Sequence, residues 1–331
     1  MRRLLALILL VAVAPGTLLR DAPKVYSTQQ VLAARSLPLP PQAVRAALLG
    51  PFDLKTAWQM DSPHSGFGGY SALVMTRPAH FLAISDSART LAFADPALGP
   101  QTLHMGGVTD LAAPKFALDT EAATRDPASG TVWVAWEGLN AVSRHSADGT
   151  MQAMAQPPAM QGWASNKGPE AMVRLRDGRF VALAESFNHW FGGTDHPALL
   201  FAGDPVAGAA AQAFTFAGAD GYRPTDMAEL PDGRVLILMR RVLWPIPMKL
   251  SCRIMLADPA QITSGGVWSA QELARLEAPL PVDNFEGMAI EQAPDKRGKL
   301  TVWLISDANS AQFQRTLLWK LSLDPARLPP R

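Results

Sequence analysis

From residue 69 onward the chain repeats one arrangement of polar and apolar positions. A polar residue opens a short apolar run, a turn follows, and a second, more continuously apolar run returns. The five copies are "GYSALVMTRPAHFLAISDSA" from Gly69, "DTEAATRDPASGTVWVAWEG" from Asp119, "GPEAMVRLRDGRFVALAES" from Gly168, "RPTDMAELPDGRVLILMRR" from Arg223 and "NFEGMAIEQAPDKRGKLTVWLISDAN" from Asn284. Aligned on the polar residue, the anchors are Ser71, Glu121, Glu170, Asp226 and Glu286, spaced by 50, 49, 56 and 60 residues. The turns "RDGR" and "PDGR" carry the Asp-Gly pair that hairpins favour, because Gly accepts a positive φ. The returning runs, such as "TVWVAW" and "VLILM", are almost wholly apolar, as strands covered on both faces are. Further strands follow in "AVSRHS", "ALLFAG", "RIMLAD" and "TLLWKLSL".

A period near 50 residues with about four strands per unit predicts an all-β fold, a β-propeller. Five blades are expected from the count, six if one copy is degenerate. The segment "FDLKTAWQMDS" is expected to join the last blade, so that strands from both ends close the ring. The first strand of each unit is expected to line the central channel, with its anchor at one mouth. The hairpin then returns Asp86, Glu137, Glu185, Arg240-Arg241 and Asp307 to that same mouth. Glu286 is expected to meet Asp307, Glu170 to meet Glu185, and Glu121 to meet Glu137.

Upstream of the repeats, "MRRLLALILLVAVAPG" places two arginines before about eleven apolar residues. That is short for a membrane span and fits an export leader. Ala12-Val13-Ala14 resembles a cleavage site, although Pro15 is poor just after one. Residues 1–20 are read as a leader or N-terminal anchor, 21–49 as a linker and 50–325 as the propeller. The expected location is periplasmic or secreted, with membrane contact only through that anchor.

Composition narrows the partners. With 48% hydrophobic and 18% charged residues the chain can build a core. A formal net charge of +1 gives no basic footprint for nucleic acid. A monomer acting on a small molecule is expected. Cys252 is the only cysteine, which excludes an internal disulfide and a thiolate metal site; it reads as a buried hydrophobe. No G-x-S-x-G, H-E-x-x-H or P-loop occurs. His64 and His189 are lesser site candidates.

Carboxylates converging on one mouth repel one another unless cations neutralise them. Calcium, a hard ion with oxygen ligands, is the expected cofactor. Its candidate ligands are Glu121, Glu137, Glu170, Glu185, Asp226 and Glu286, with Asn166, Asn284 and Asn309 as neutral oxygens. Lys167, Arg223, Arg240, Arg241 and Arg315 fall at the same level. A cation beside Arg and Lys is how a site grips a phosphate and stabilises developing charge. The candidate catalytic residues are Glu286, Asp307, Glu170, Lys167 and Arg240. The plainer reading is that the acids pair with basic residues between blades or accept backbone N–H groups.

The segments "FGGYSALVM", "DTEAATRDPASGTVWVAWEG", "NKGPEAMVRLRDGRFVALAES" and "DNFEGMAIEQ…VWLISDANSAQFQRTLLWKLSL" occur in order. Together they resemble the family described as esterase-like activity of phytase, over roughly Gly50 to Leu323. The resemblance implies a propeller that hydrolyses a phosphoester or another ester with the help of calcium. Two positions depart from the pattern: Ser71 stands at the first anchor, and the fourth unit ends in Arg240-Arg241. A lactonase-like enzyme with one metal and a non-catalytic binding propeller of the cell envelope are the alternatives.

Overall fold

The computed structural model describes residues 26–109, 117–164, 167–185, 193–243, 249–291, 298–308 and 314–331. The apolar N-terminal stretch, Asn166, His189 and Asn309 lie outside these. Five sheets pack around one axis. Blade 1 runs outward through Tyr70–Arg77, His80–Ser85, Arg89–Ala94 and His104–Gly107. Blade 2 contains Thr120–Arg125, Val132–Trp136, Ala141–His145 and Met151–Ala155. Blade 3 contains Pro169–Arg174, Phe180–Ala184, Asp195–Phe201 and Ala211–Ala217. A short strand, Val267–Ser269, adds to its outer edge in parallel.

Blade 4 contains Arg223–Glu229, Val235–Leu243, Lys249–Ala257 and Gln271–Leu276. Blade 5 starts with Asn284–Glu291, Leu300–Asp307 and Thr316–Leu323. Its fourth strand, Phe52–Asp61, comes from the other end of the chain and pairs antiparallel with Thr316–Leu323. The first strand of each unit is innermost, and these five touch one another in a closed circuit.

The apolar runs behave as two-sided strands. Val302, Trp303, Leu304 and Ile305 are successive residues of one strand and all are fully buried. Trp303 stacks on Trp58 within blade 5 at 6.2 Å and meets Phe81 of blade 1 at 4.7 Å. Gly178, in the turn of blade 3, has φ 91°, a conformation that side chains with a Cβ disfavour. Gly287 is needed for another reason: a Cβ there would stand 2.8 Å from the Leu73 N and 2.7 Å from Ile305 Cγ2. It lets the inner strands of blades 5 and 1 approach.

Within the linker expected over 21–49, the described residues from 26 onward carry regular elements. Val31–Ser36 forms a fifth strand on blade 5, from Ala33 opposite Asp61 to Ser36 opposite Trp58. The same strand reaches Gln101–Thr102, next to blade 1, and so bridges the closing seam. A helix, Gln42–Leu49, follows, and Leu49 is fully buried in the core between blades 4 and 5. The segment is mostly polar or exposed, so its apolar contribution rests on a few leucines that show no period.

Candidate functional site

In every blade the inner strand slips register against the second strand at one equivalent place. The slips fall between Tyr70 and Ala72, Thr120 and Ala122, Pro169 and Ala171, Pro224 and Asp226, and Phe285 and Gly287. Such a bulge leaves one residue out of the ladder and re-aims its side chain. The residues left out are Ser71, Glu121, Glu170, Thr225 and Glu286.

Thr225, not Asp226, is therefore the fourth anchor. Asp226 is fully buried one residue further on. Its carboxylate accepts the N–H of Met227 at 2.8 Å and that of Met288, in blade 5, at 2.6 Å. It bolts two inner strands together and is not brought to the mouth. Burial pushes its pKa well above the usual range, against the pull of those two N–H groups. The expected alignment favoured an acid at the anchor. Thr225-Asp226-Met227 in fact matches Glu170-Ala171-Met172 and Glu286-Gly287-Met288 on the methionine.

The acids of blades 2 and 3 do converge. Carboxylate oxygens of Asp119, Glu121 and Glu137 lie within 4.8 Å of one another, and so do those of Glu137, Glu170 and Glu185. Glu137 belongs to both groups, and its Oε1 accepts the Gly168 N–H at 3.3 Å. Blade 4 contributes the opposing charge. Arg240 Nη2 is 3.3 Å from Glu185 Oε1, and its Nε is 3.1 Å from Glu286 Oε1. Arg223 Nη1 is 2.7 Å from Glu185 Oε2. Asn284 Nδ2 donates to Glu286 Oε1 at 2.7 Å.

The electrostatics follow from this crowding. Burial pushes Glu121 well above the usual carboxylate range, and Glu170, Glu286, Asp119 and Glu137 add to the shift. Glu170 rises for the same first reason, with Glu185 adding to it and Arg240 opposing. Burial, then Asp119 and Glu185, raise Glu137 to about 7. Burial also raises Glu286, although Arg240 and Asn284 pull it back. Arg240 is held in its charged form: burial works against the charge, but Glu286, Glu170, Glu185 and Glu121 outweigh it.

The donor set fits a hard divalent cation. It consists of carboxylate oxygens whose mutual repulsion a cation would relieve. Among the described residues, no hydrogen-bond donor reaches the buried Asn284 Oδ1, beside Glu286, so a neutral acceptor oxygen is also left over.

Asp307 is buried and sits opposite Asn284 in the ladder, outside both oxygen groups. Glu286 is met by Arg240 and Asn284. Lys167 is exposed next to Gly168. Arg241 is exposed and points to the Asp220 carbonyl at 3.5 Å. Arg315 pairs with Asp283 at 3.4 Å. His64 Nδ1 accepts the Gly66 N–H and closes its own turn. Cys252 is fully buried, and burial pushes its thiol up to about 12. The acid that pattern reading missed is Asp119. It stands two residues before Glu121, where Arg223 stands before Thr225, so the position itself was a signal.

The family model Phytase-like, described as esterase-like activity of phytase, matches residues 65–310. No curated protein matches the chain in sequence. Among solved structures, Myxococcus xanthus glutaminyl cyclase is similar with a TM-score of 0.46 at 11% identity, covering 82% of this chain and 97% of its own. A chain of the nidogen/laminin complex has a TM-score of 0.42 at 10% identity, with 90% and 94% covered. Kuenenia stuttgartiensis hydrazine synthase has a TM-score of 0.39 at 12% identity, with 72% and 76% covered.

Proposed function

Because this chain belongs to the phytase-like family, we propose that it is a calcium-assisted hydrolase of a phosphoester or related ester, working at the acidic mouth of the channel. The observation that supports this most is the pair of carboxylate groups that share Glu137, ringed by Arg240 and Arg223. Calcium would be held by Asp119, Glu121, Glu137, Glu170 and Glu185, where it would screen the acids from one another and polarise an ester oxygen.

The chain's own groups divide the remaining work. Arg240 and Arg223 put positive charge on the blade 4 side, where an anionic substrate group docks in competition with Glu185. Lys167, exposed at the rim, adds a mobile charge to the same end. Glu286 lies outside both carboxylate groups and is oriented by Asn284 and Arg240. It is the acceptor for the proton of the attacking water. The proposal includes export, supported by the apolar N-terminal stretch, and action as a monomer. Among the described residues, no helix is long and apolar enough to cross a membrane.

One observation favours a second reading. Arg240 is already engaged by Glu185 and Glu286, which suits a neutral carboxyl ester or lactone better than a phosphate. Calcium titration by calorimetry, followed by assays of p-nitrophenyl phosphate, p-nitrophenyl acetate and a γ-lactone with and without chelator, separates these. Calcium-dependent release of phosphate supports the first reading. Turnover of the acetate or lactone alone supports the second. Absence of both calcium binding and turnover would leave the acids structural and the protein a binding propeller.

A further inference from the structure

The inner strands that begin at the acidic mouth end in a different environment. Their C-terminal halves line a cavity of about 530 Å3, within the size range of small-molecule sites. Its wall is apolar: Val74, Val173, Met227, Met288 and Ile290 contribute to it. Methionine side chains adapt to ligands of varied shape. Arg77, Arg125, Arg174 and Arg176 also line it, against Glu229 and Glu291. The arginines come from blades 1 to 3 and the carboxylates from blades 4 and 5.

Two of these arginines are committed. Arg176 Nε is 3.7 Å from Glu229, and Arg174 Nη1 is 3.5 Å from Asp126. Arg125 Nη1 reaches a main-chain carbonyl, that of Met75, at 3.5 Å. Arg77, two residues beyond Met75, is exposed. Among the described residues, no carboxylate is ion-paired with Arg77 or Arg125. Two guanidinium groups with charge to spare thus stand on one side of an apolar funnel.

We propose that this funnel binds a small amphipathic anion: an apolar chain lodged among the valines and methionines, ending in one anionic group on Arg77 and Arg125. The charge complementarity is local. At about 3.3 Å per residue, the inner strands hold this end roughly 15 Å from the acidic mouth. The site is independent of the hydrolytic reading above.

The test is calorimetry of the full chain, metal-free in chelator, with hexanoate, octanoate and decanoate. Affinity is expected to rise about fourfold per added methylene while the chain remains inside the funnel. Octyltrimethylammonium, with the same tail and the opposite charge, is expected to bind at least tenfold more weakly than octanoate. The double variant Arg77→Gln/Arg125→Gln is expected to lose about tenfold for octanoate, while Glu137→Gln, at the other mouth, leaves it unchanged. If the double variant unfolds, Arg77→Gln alone, at an exposed position, is expected to lose several-fold. No binding of octanoate, no dependence on chain length, equal binding of the cation, or indifference to the arginine substitutions would each overturn the proposal.

Discussion

The same bulge serves two purposes in different blades. In blades 1 and 4 the residue outside the ladder carries a hydroxyl. Ser71 Oγ is 2.6 Å from the Thr120 carbonyl, and Thr225 Oγ1 is 3.3 Å from that of Phe285. Both carbonyls belong to the residue just before the next blade's bulge, and both hydroxyls also lie near a carbonyl of their own second strand. In blades 2, 3 and 5 the residue is glutamate, which has no proton to donate when ionised. Its carboxylate must find a cation or a donor elsewhere, and it meets other carboxylates or Arg240. The backbone device is common to all five blades. The side chain decides whether it staples two blades or loads the channel with charge.

The largest effect is expected where that charge is balanced. Arg240→Met removes the guanidinium from among Glu185, Glu286 and Glu170. In metal-free protein at pH 8 it should cost about 3 kcal/mol in urea unfolding, and clearly less at pH 5. An equal loss at both pH values would mean that the acids do not depend on Arg240.

The wild type should show the corresponding pH trend. Glu121, Glu170, Glu286 and Glu137 have folded pKa values above their unfolded ones, so the folded state binds more protons. Stability then falls as pH rises from about 4.5 to about 7, the window that the Glu137 shift defines. Thermal melts of metal-free protein should drop across that window, and calcium should restore more at its upper end. Melts that rise through the window would contradict the crowding.

Glu137→Gln keeps the shape of the residue shared by both carboxylate groups but removes its charge. Calcium affinity by calorimetry should weaken about tenfold or more. Ser71→Ala, at the equivalent step of the neighbouring blade, should leave it unchanged. A similar loss in both variants would show that the hydroxyl and glutamate bulges do not differ in role.

Smaller effects should appear at the hydroxyls themselves. Ser71→Ala and Thr225→Val should each cost about 1 kcal/mol in urea unfolding, the typical net value of such a bond. Lys167→Gln should change stability by less than about 0.5 kcal/mol. It should raise KM for a phosphate ester while sparing a neutral one.

Much of this arrangement is legible from pattern. The turns follow from their Asp-Gly pairs, the two-sided second strands from their unbroken apolar runs, and the closing strand Phe52–Asp61 from the need to seal the ring. The register of Glu137, Glu185 and Arg240 opposite the anchors follows from hairpin geometry. The bulge does not: it inserts one residue into an otherwise regular count, so the chemical likeness of Asp226 to glutamate misled the alignment. Asp119 was hidden for a related reason, since it stands before the apolar run begins.

Repetition along the chain was sufficient to establish a ring of blades, since no single blade can cover both of its faces; it favoured five, and the five sheets of the structure excluded six. It was also sufficient to place acids near the start of most inner strands. Hairpin register also pairs Glu121 with Glu137 and Glu170 with Glu185, and tertiary structure decided that the two pairs are joined through Glu137. Glu137 meets Asp119 through the hairpin of blade 2, but it meets Glu170 because closure of the ring brings blade 3 within a few ångströms. Asp226 is spent on the Met288 N–H because a buried carboxylate takes the nearest donors, and only packing of blade 4 against blade 5 supplies that one.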